Sequence, residues 1–190
     1  MARLFLIRHG QPSQSWGGAA SDPGLSELGL TQAAGAAEAL AELGPLALVS
    51  SPMRRCIETA TPFAQKRGVE PMIEPRVSEV AAPSGTENRG AWLQARFPWR
   101  DESQARTWPS LEPELQHWRR EMLAYVSAIE RDTAVFTHFI AINVIVGAAL
   151  ECDQTIACKP GHASITEIEV RGRRLKLTAL GDEMQIDDVR

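Results

Sequence analysis

Three short strand-like stretches, the first two of them apolar runs, each tied to the next by a stretch with helical spacing, constrain this chain more than any other feature. Residues 4–7 (Leu-Phe-Leu-Ile), 46–49 and 69–73 are too short for helices, and the first shows no polar alternation. Such a run suits a strand buried on both faces. Between them lie an alanine-rich segment at 28–43, opened by Ser26 as N-cap with Glu27 in its first turn, and a second segment from Pro52 to about Lys66. Gly44-Pro45 ends the first and Gly68 the second. The order βαβαβ predicts a parallel sheet covered by helices. A further strand is expected at 134–137, an apolar helix at 140–150, and a hairpin of 165–170 with 175–180.

The stretch 82–113 breaks the pattern. It holds Gly85, Gly90, four prolines, and Trp92, Trp99 and Trp108, and reads as an irregular lid whose tryptophans form a small core of their own. No linker divides the chain, so 1–190 is expected to be one domain. A net charge of −4 gives no general pull toward nucleic acid or an anionic membrane. An anionic ligand must therefore meet a local positive cluster. Three cysteines without CxxC spacing argue for thiols in a reducing compartment rather than disulfides or zinc. The apolar start is too short for a signal peptide, and 139–150, interrupted by Asn143, is too short for a membrane span. A cytoplasmic location is expected.

Functional residues collect at the carboxyl ends of the expected strands, where open α/β sheets bind ligands. Arg8, His9 and Gly10 follow the first strand, Arg54 sits in the first turn after the second, Glu79 comes after the third, and His138 follows the fourth. Arginine forks bind phosphoryl oxygens, an imidazole with a set tautomer is a nucleophile, and a carboxylic acid protonates a leaving alkoxide. A helix beginning at Pro52 would add N–H groups facing the anion. No metal-ligand spacing is visible, and neither metal nor cofactor is expected.

Leu-Ile-Arg-His-Gly at 6–10 resembles the signature of the histidine phosphatase superfamily, the phosphoglycerate-mutase-like fold. In the right order follow Leu25-Ser26 with Gly29 and Gln32-Ala33, similar to that family's LS-x-x-G-x-x-Q-A. The segment 50–60 is similar to SSPLxRAxxTA, 77–80 to the proton-donor segment, and 135–138 to the strand ending in the second histidine. The resemblance implies a three-layer α/β/α sandwich with a mostly parallel sheet and a lid insertion. It also implies a metal-independent phosphatase in which His9 becomes phosphohistidine. Arg8, Arg54 and His138 would clamp the phosphoryl oxygens, and Glu79 would act as acid and then base. The partners would be a small phosphorylated substrate and inorganic phosphate as product. Arg55, about 100° around the helix from Arg54, is expected to be solvated, and His117 and His162 to lie at the surface, although His162, in the loop just before a strand, could also sit near the pocket mouth; Gln11 and Ser13 could line the entrance or belong to a polar loop.

Three departures from the family pattern stand out. Phe139 follows His138 where a small residue is usual, Asn143 stands where an arginine is usual, and Ala81–Thr86 replaces a G-x-W-E-G segment. Three other functions compete: a cofactor-dependent phosphoglycerate mutase, a protein phosphohistidine phosphatase, and a phospho-ligand-binding protein without turnover. The acidic tail 182–190 disfavours the first and the lid the second. The substrate and the oligomeric state are not legible.

Overall fold

A computed structural model describes residues 1–14 and 22–184; parts of the 10–24 loop and of the acidic tail lie outside these. The first three strands are β1 (Ala2–Arg8), β2 (Ala47–Ser50) and β3 (Met72–Ile73). The others are β4 (Thr133–Thr137), β5 (Ile165–Arg171) and β6 (Arg174–Ala179). They form one sheet in the order β3-β2-β4-β1-β5-β6. The first four strands pair in parallel, and β5 and β6 add an antiparallel edge. The expected third strand shrinks to two exposed residues at the sheet edge.

Alternation along β1 assigns its side chains to two cores. Leu4 and Leu6 face one side with Val49 and Val135; Phe5 and Ile7 face the other with Leu48, Ala134 and Phe136. Helices α1 (Glu27–Ala41) and α2 (Arg54–Arg67) cover the second side through Ala36, Ala37, Leu40, Ala60 and Phe63. The alanines let the two helix backbones lie close together, and burying a side chain such as Phe63 contributes about 1.5–3 kcal/mol. The first side is covered by α3 (Arg89–Arg96), α4 (Pro113–Val126) and α5 (Phe139–Ala149). This is a three-layer α/β/α arrangement, and α5 is buried along most of its length as its apolar composition requires.

The Ser26 hydroxyl accepts from the N–H of Gly29 at 3.0 Å and caps α1. Gly68, at φ +64°, ends α2 in the left-handed conformation that glycine tolerates best. Helix α2 begins at Arg54 rather than at Pro52. Within 82–113, Trp108 is buried and lies 5.7 Å from Phe97 and 6.2 Å from Trp118, ring centre to ring centre. That tryptophan belongs to the packing under the lid segment. No helix among the described residues is long and apolar enough to cross a membrane.

Candidate active site

Strands β1 and β4 are parallel neighbours, with Arg8 in register with Thr137. The next residue on each is a histidine, so His9 and His138 emerge side by side, ring centres 5.3 Å apart. On the far side of β4, β2 delivers Ser51. A one-turn 3-10 helix at Pro75–Val77, pinned by the Thr137 hydroxyl donating to the Val77 carbonyl at 2.6 Å, delivers Glu79.

His9 is fully buried, and its Nδ1 lies 2.8 Å from the Gly10 carbonyl oxygen. A carbonyl only accepts, so Nδ1 carries the proton and Nε2 keeps its lone pair. Burial, followed by the positive fields of Arg55, His138 and Arg8, holds the imidazole well below the ordinary histidine pKa. The ring is thus neutral at physiological pH, with the Nε2 lone pair available. Backbone packing fixes the turn. The Gly10 N–H donates to Thr59 Oγ1 at 2.9 Å, and a Cβ on Gly10 would lie 2.6 Å from the Gly29 carbonyl. A Cβ on Gly29 would lie 2.2 Å from the Gln11 carbonyl oxygen, so each segment needs its own glycine where the two backbones cross.

The arginine of α2 that enters the site is Arg55, not Arg54, which corrects both sequence expectations. The Arg54 side chain is 65% exposed and pairs with Glu58 at 2.6 Å; the Arg55 side chain is 8% exposed. Arg55 Nη2 donates to His138 Nδ1 at 3.1 Å. Its Nε is buried with no hydrogen-bond partner among the described residues. Counting along SSPLxRAxxTA from Ser50 puts the pattern's arginine on residue 55, the signal that separates the two. The helix start is not open to an anion in the expected way: Asp22 accepts from the Arg54 N–H with both oxygens, at 3.0 and 3.1 Å, and lies 3.7 Å from Arg55 Nη1. Arg54 has a different task. With Glu58, which accepts from the Leu25 N–H at 2.6 Å, it ties α2 to the loop before α1.

His138 is fully buried. Because Arg55 can only donate, His138 Nδ1 accepts and Nε2–H donates to Ser51 Oγ at 2.8 Å. Burial, then Arg55 and Arg8, also depresses its pKa well below the ordinary value. Beside it lies Cys56, Sγ 3.3 Å from Nε2, a neighbour that sequence reasoning passed over. Burial pushes this thiol up to about 12, so it stays protonated and is no nucleophile.

Arg8 is 2% exposed. Its Nη1 donates to the Pro160 carbonyl at 2.8 Å, and its Nη2 lies 3.1 Å from His162 Nε2. Its guanidinium carbon lies 5.2 Å from the Phe139 ring centre, a cation–π distance. Phe139 thus supports an arginine of the site. Asn143 is a buried brace: its amide donates to the Phe139 carbonyl at 3.0 Å, and its oxygen accepts from the N–H groups of Ala157 and Cys158 at 2.7 and 2.9 Å. His162, expected at the surface, is half-buried against Arg8, with its ring 5.9 Å from that of His9; His117 is exposed. Gln11 accepts a 2.9 Å bond from the Ser26 hydroxyl and donates its N–H to Gln32 at 2.8 Å, a structural use.

Glu79 Oε1 accepts from the Val80 N–H at 3.1 Å and Oε2 from the Ile140 N–H at 3.0 Å, across the start of α5. Desolvation nonetheless raises its pKa above the ordinary carboxyl value, against the opposing pull of these two bonds and of Arg55 and Arg8. A cavity of about 430 Å³ is lined by Trp99, Arg106, Gln154, Thr155, Lys159 and Glu183, among others.

Residues 4–183 match the histidine phosphatase superfamily (branch 1), and the chain belongs to that family. It is 36% identical over 109 residues to glucosyl-3-phosphoglycerate phosphatase of Mycolicibacterium vanbaalenii, a match covering 53% of this chain and 48% of the relative. The chain spans about half the length of the curated relatives it matches. Among solved structures, it is similar to a mycobacterial glucosyl-3-phosphoglycerate phosphatase in complex with VO3. That likeness has a TM-score of 0.74 and 26% identity, covering 95% of this chain and 99% of the other. The protein YhfR of Bacillus stearothermophilus shares the fold, with a TM-score of 0.74 at 19% identity, over 98% of this chain and all of the other.

Proposed function

We propose that this protein is a phosphomonoester phosphatase that works through a phosphohistidine at His9 on a small phosphorylated metabolite. The observation that carries the reading is the His9–Gly10 hydrogen bond of 2.8 Å, which reserves Nε2 as the attacking nitrogen. In the first step Nε2 forms a bond to phosphorus while the bond to the leaving oxygen breaks, and Glu79 gives that oxygen its proton. In the second, the Glu79 carboxylate takes a proton from water, the water oxygen bonds to phosphorus, the N–P bond breaks and phosphate departs. Arg8 and Arg55 offset the charge on the equatorial oxygens and hold the group in line, which accounts for much of the catalysis in phosphoryl transfer.

His138 has a part in both states. In the resting site it accepts from Arg55. An anion that draws the Arg55 donors away leaves Nδ1 facing it; a phosphoryl group that carries a proton donates to that nitrogen, and the ring stays neutral. The likeness to glucosyl-3-phosphoglycerate phosphatases favours a polar substrate with a second anionic group.

The test is turnover of p-nitrophenyl phosphate and a panel of sugar phosphates, nucleotides and phosphoglycerates, glucosyl-3-phosphoglycerate among them, with EDTA present. Wild type is expected to turn over and to yield an acid-labile, base-stable phosphoprotein; His9→Ala is expected to do neither. Folded wild-type protein that binds vanadate yet hydrolyses nothing would reduce the function to binding.

A further inference from the structure

We infer that His162 is a positioning residue of the phosphoryl site: as a neutral acceptor it holds the Arg8 guanidinium in place without quenching its charge. The inference rests on the phosphatase reading and deepens it.

Nη2 of Arg8 can only donate, so at 3.1 Å the Nε2 of His162 accepts and its proton sits on Nδ1. The Pro160 carbonyl takes Nη1 at 2.8 Å. One loop thus commits two of the five donors of Arg8 and sets the plane of the fork. The loop is itself held to the strand it serves. The Ala163 N–H donates to the Arg8 carbonyl at 3.0 Å, the Arg8 N–H to the Ser164 carbonyl at 3.3 Å, and the Gly161 N–H to the Asp182 carbonyl at 2.7 Å. Ala163 takes φ +56° to make these bonds, a conformation that costs a non-glycine residue energy and recurs at functional sites.

The chemistry of the acceptors explains why a histidine stands there. Arg8 meets the Pro160 carbonyl, the His162 imidazole and, at 3.7 Å, the Met184 sulfur. A carboxylate at residue 162 would grip Arg8 harder but would offset its charge and repel the phosphoryl dianion. A neutral ring orients the cation and adds no negative charge of its own.

The test uses Gln and Glu, which are equal in size and opposite in this respect. Kinetics and vanadate affinity are measured for wild type, His162→Gln, His162→Glu and His162→Ala, with folding checked by circular dichroism. The amide oxygen of Gln reproduces the neutral acceptor, so His162→Gln is expected within about threefold of wild type in kcat/KM. Loss of positioning in His162→Ala should cost about 10–100-fold, the scale of a misplacement near 1 Å. It should lower kcat while weakening vanadate. His162→Glu should fall below His162→Ala in both readouts. Equal values for Gln and Glu, or wild-type behaviour of Ala, would overturn the role of His162 and leave the phosphatase reading standing. A wild type that neither turns over nor binds vanadate would end both.

Discussion

Nη2 of Arg55 lies 3.1 Å from Nδ1 of His138, so the guanidinium delivered by α2 and the imidazole delivered by β4 act as one unit. A phosphoryl group entering the site competes with His138 for the donors of Arg55. Arg55→Ala is therefore expected to cost about 100–1,000-fold in kcat/KM, the scale of a lost oxyanion donor. Arg54→Ala removes an exposed ion pair and should stay within about threefold, since such pairs contribute about 0–1 kcal/mol. Steady-state kinetics of the two variants checks the assignment; a larger loss for Arg54→Ala would reverse it.

Glu79 must be protonated to serve the leaving group, and His9 must be neutral to attack. The raised pKa of Glu79 and the lowered pKa of His9 open a window between them. Activity should fall as pH drops through the His9 value and as it rises through the Glu79 value. In Glu79→Gln the alkaline limb should vanish from the kcat/KM profile. The loss should be larger for alkyl phosphates than for p-nitrophenyl phosphate, whose leaving group needs little protonation. Equal losses on both substrates would remove Glu79 from the acid role.

Asn143→Leu keeps the number and branching of the side-chain heavy atoms and removes both the donor and the acceptor. It leaves the N–H groups of Ala157 and Cys158 without their partner, at about 1–3 kcal/mol for each buried group. A clear fall in the melting temperature is expected, with weaker vanadate binding because the same loop carries Pro160 and His162. Unchanged stability would mean that water replaces the amide.

Burial and Arg8 depress His162 to about 3, and burial also holds His9 and His138 well below the ordinary histidine value. In the unfolded chain these rings take up protons below about pH 6.5, while in the native protein they remain neutral. The unfolded state then binds more protons, so stability falls as pH drops below that value, by up to about 1.4 kcal/mol per pH unit for each ring. Urea unfolding at pH 7 and 5.5, above the carboxylate range, reads this slope. His162→Gln should make it shallower; an unchanged slope would show that His162 is charged in the native state.

Much of this protein is legible in one dimension because the signals are local. Apolar runs of four residues, the Ser26 cap and Gly68 follow from strand burial and backbone preference, and they place His9, Glu79 and His138 at strand ends before any coordinates exist. The ordered motifs name the family for the same reason. The choice between Arg54 and Arg55 was different. Two adjacent arginines differ by about 100° around the helix, and the side that faces inward depends on where α2 begins, which its approach over β2 decides. The settings of Asn143 and His162 were illegible for a related reason. Their partners lie 14 and 154 residues away, and no local pattern records a contact across that distance. The sequence alone determined the order of the elements along the chain and the strand ends that carry His9 and His138. The tertiary structure decided which cations reach the phosphoryl site and what holds them, because that depends on long-range contacts that exist only once the sheet has formed.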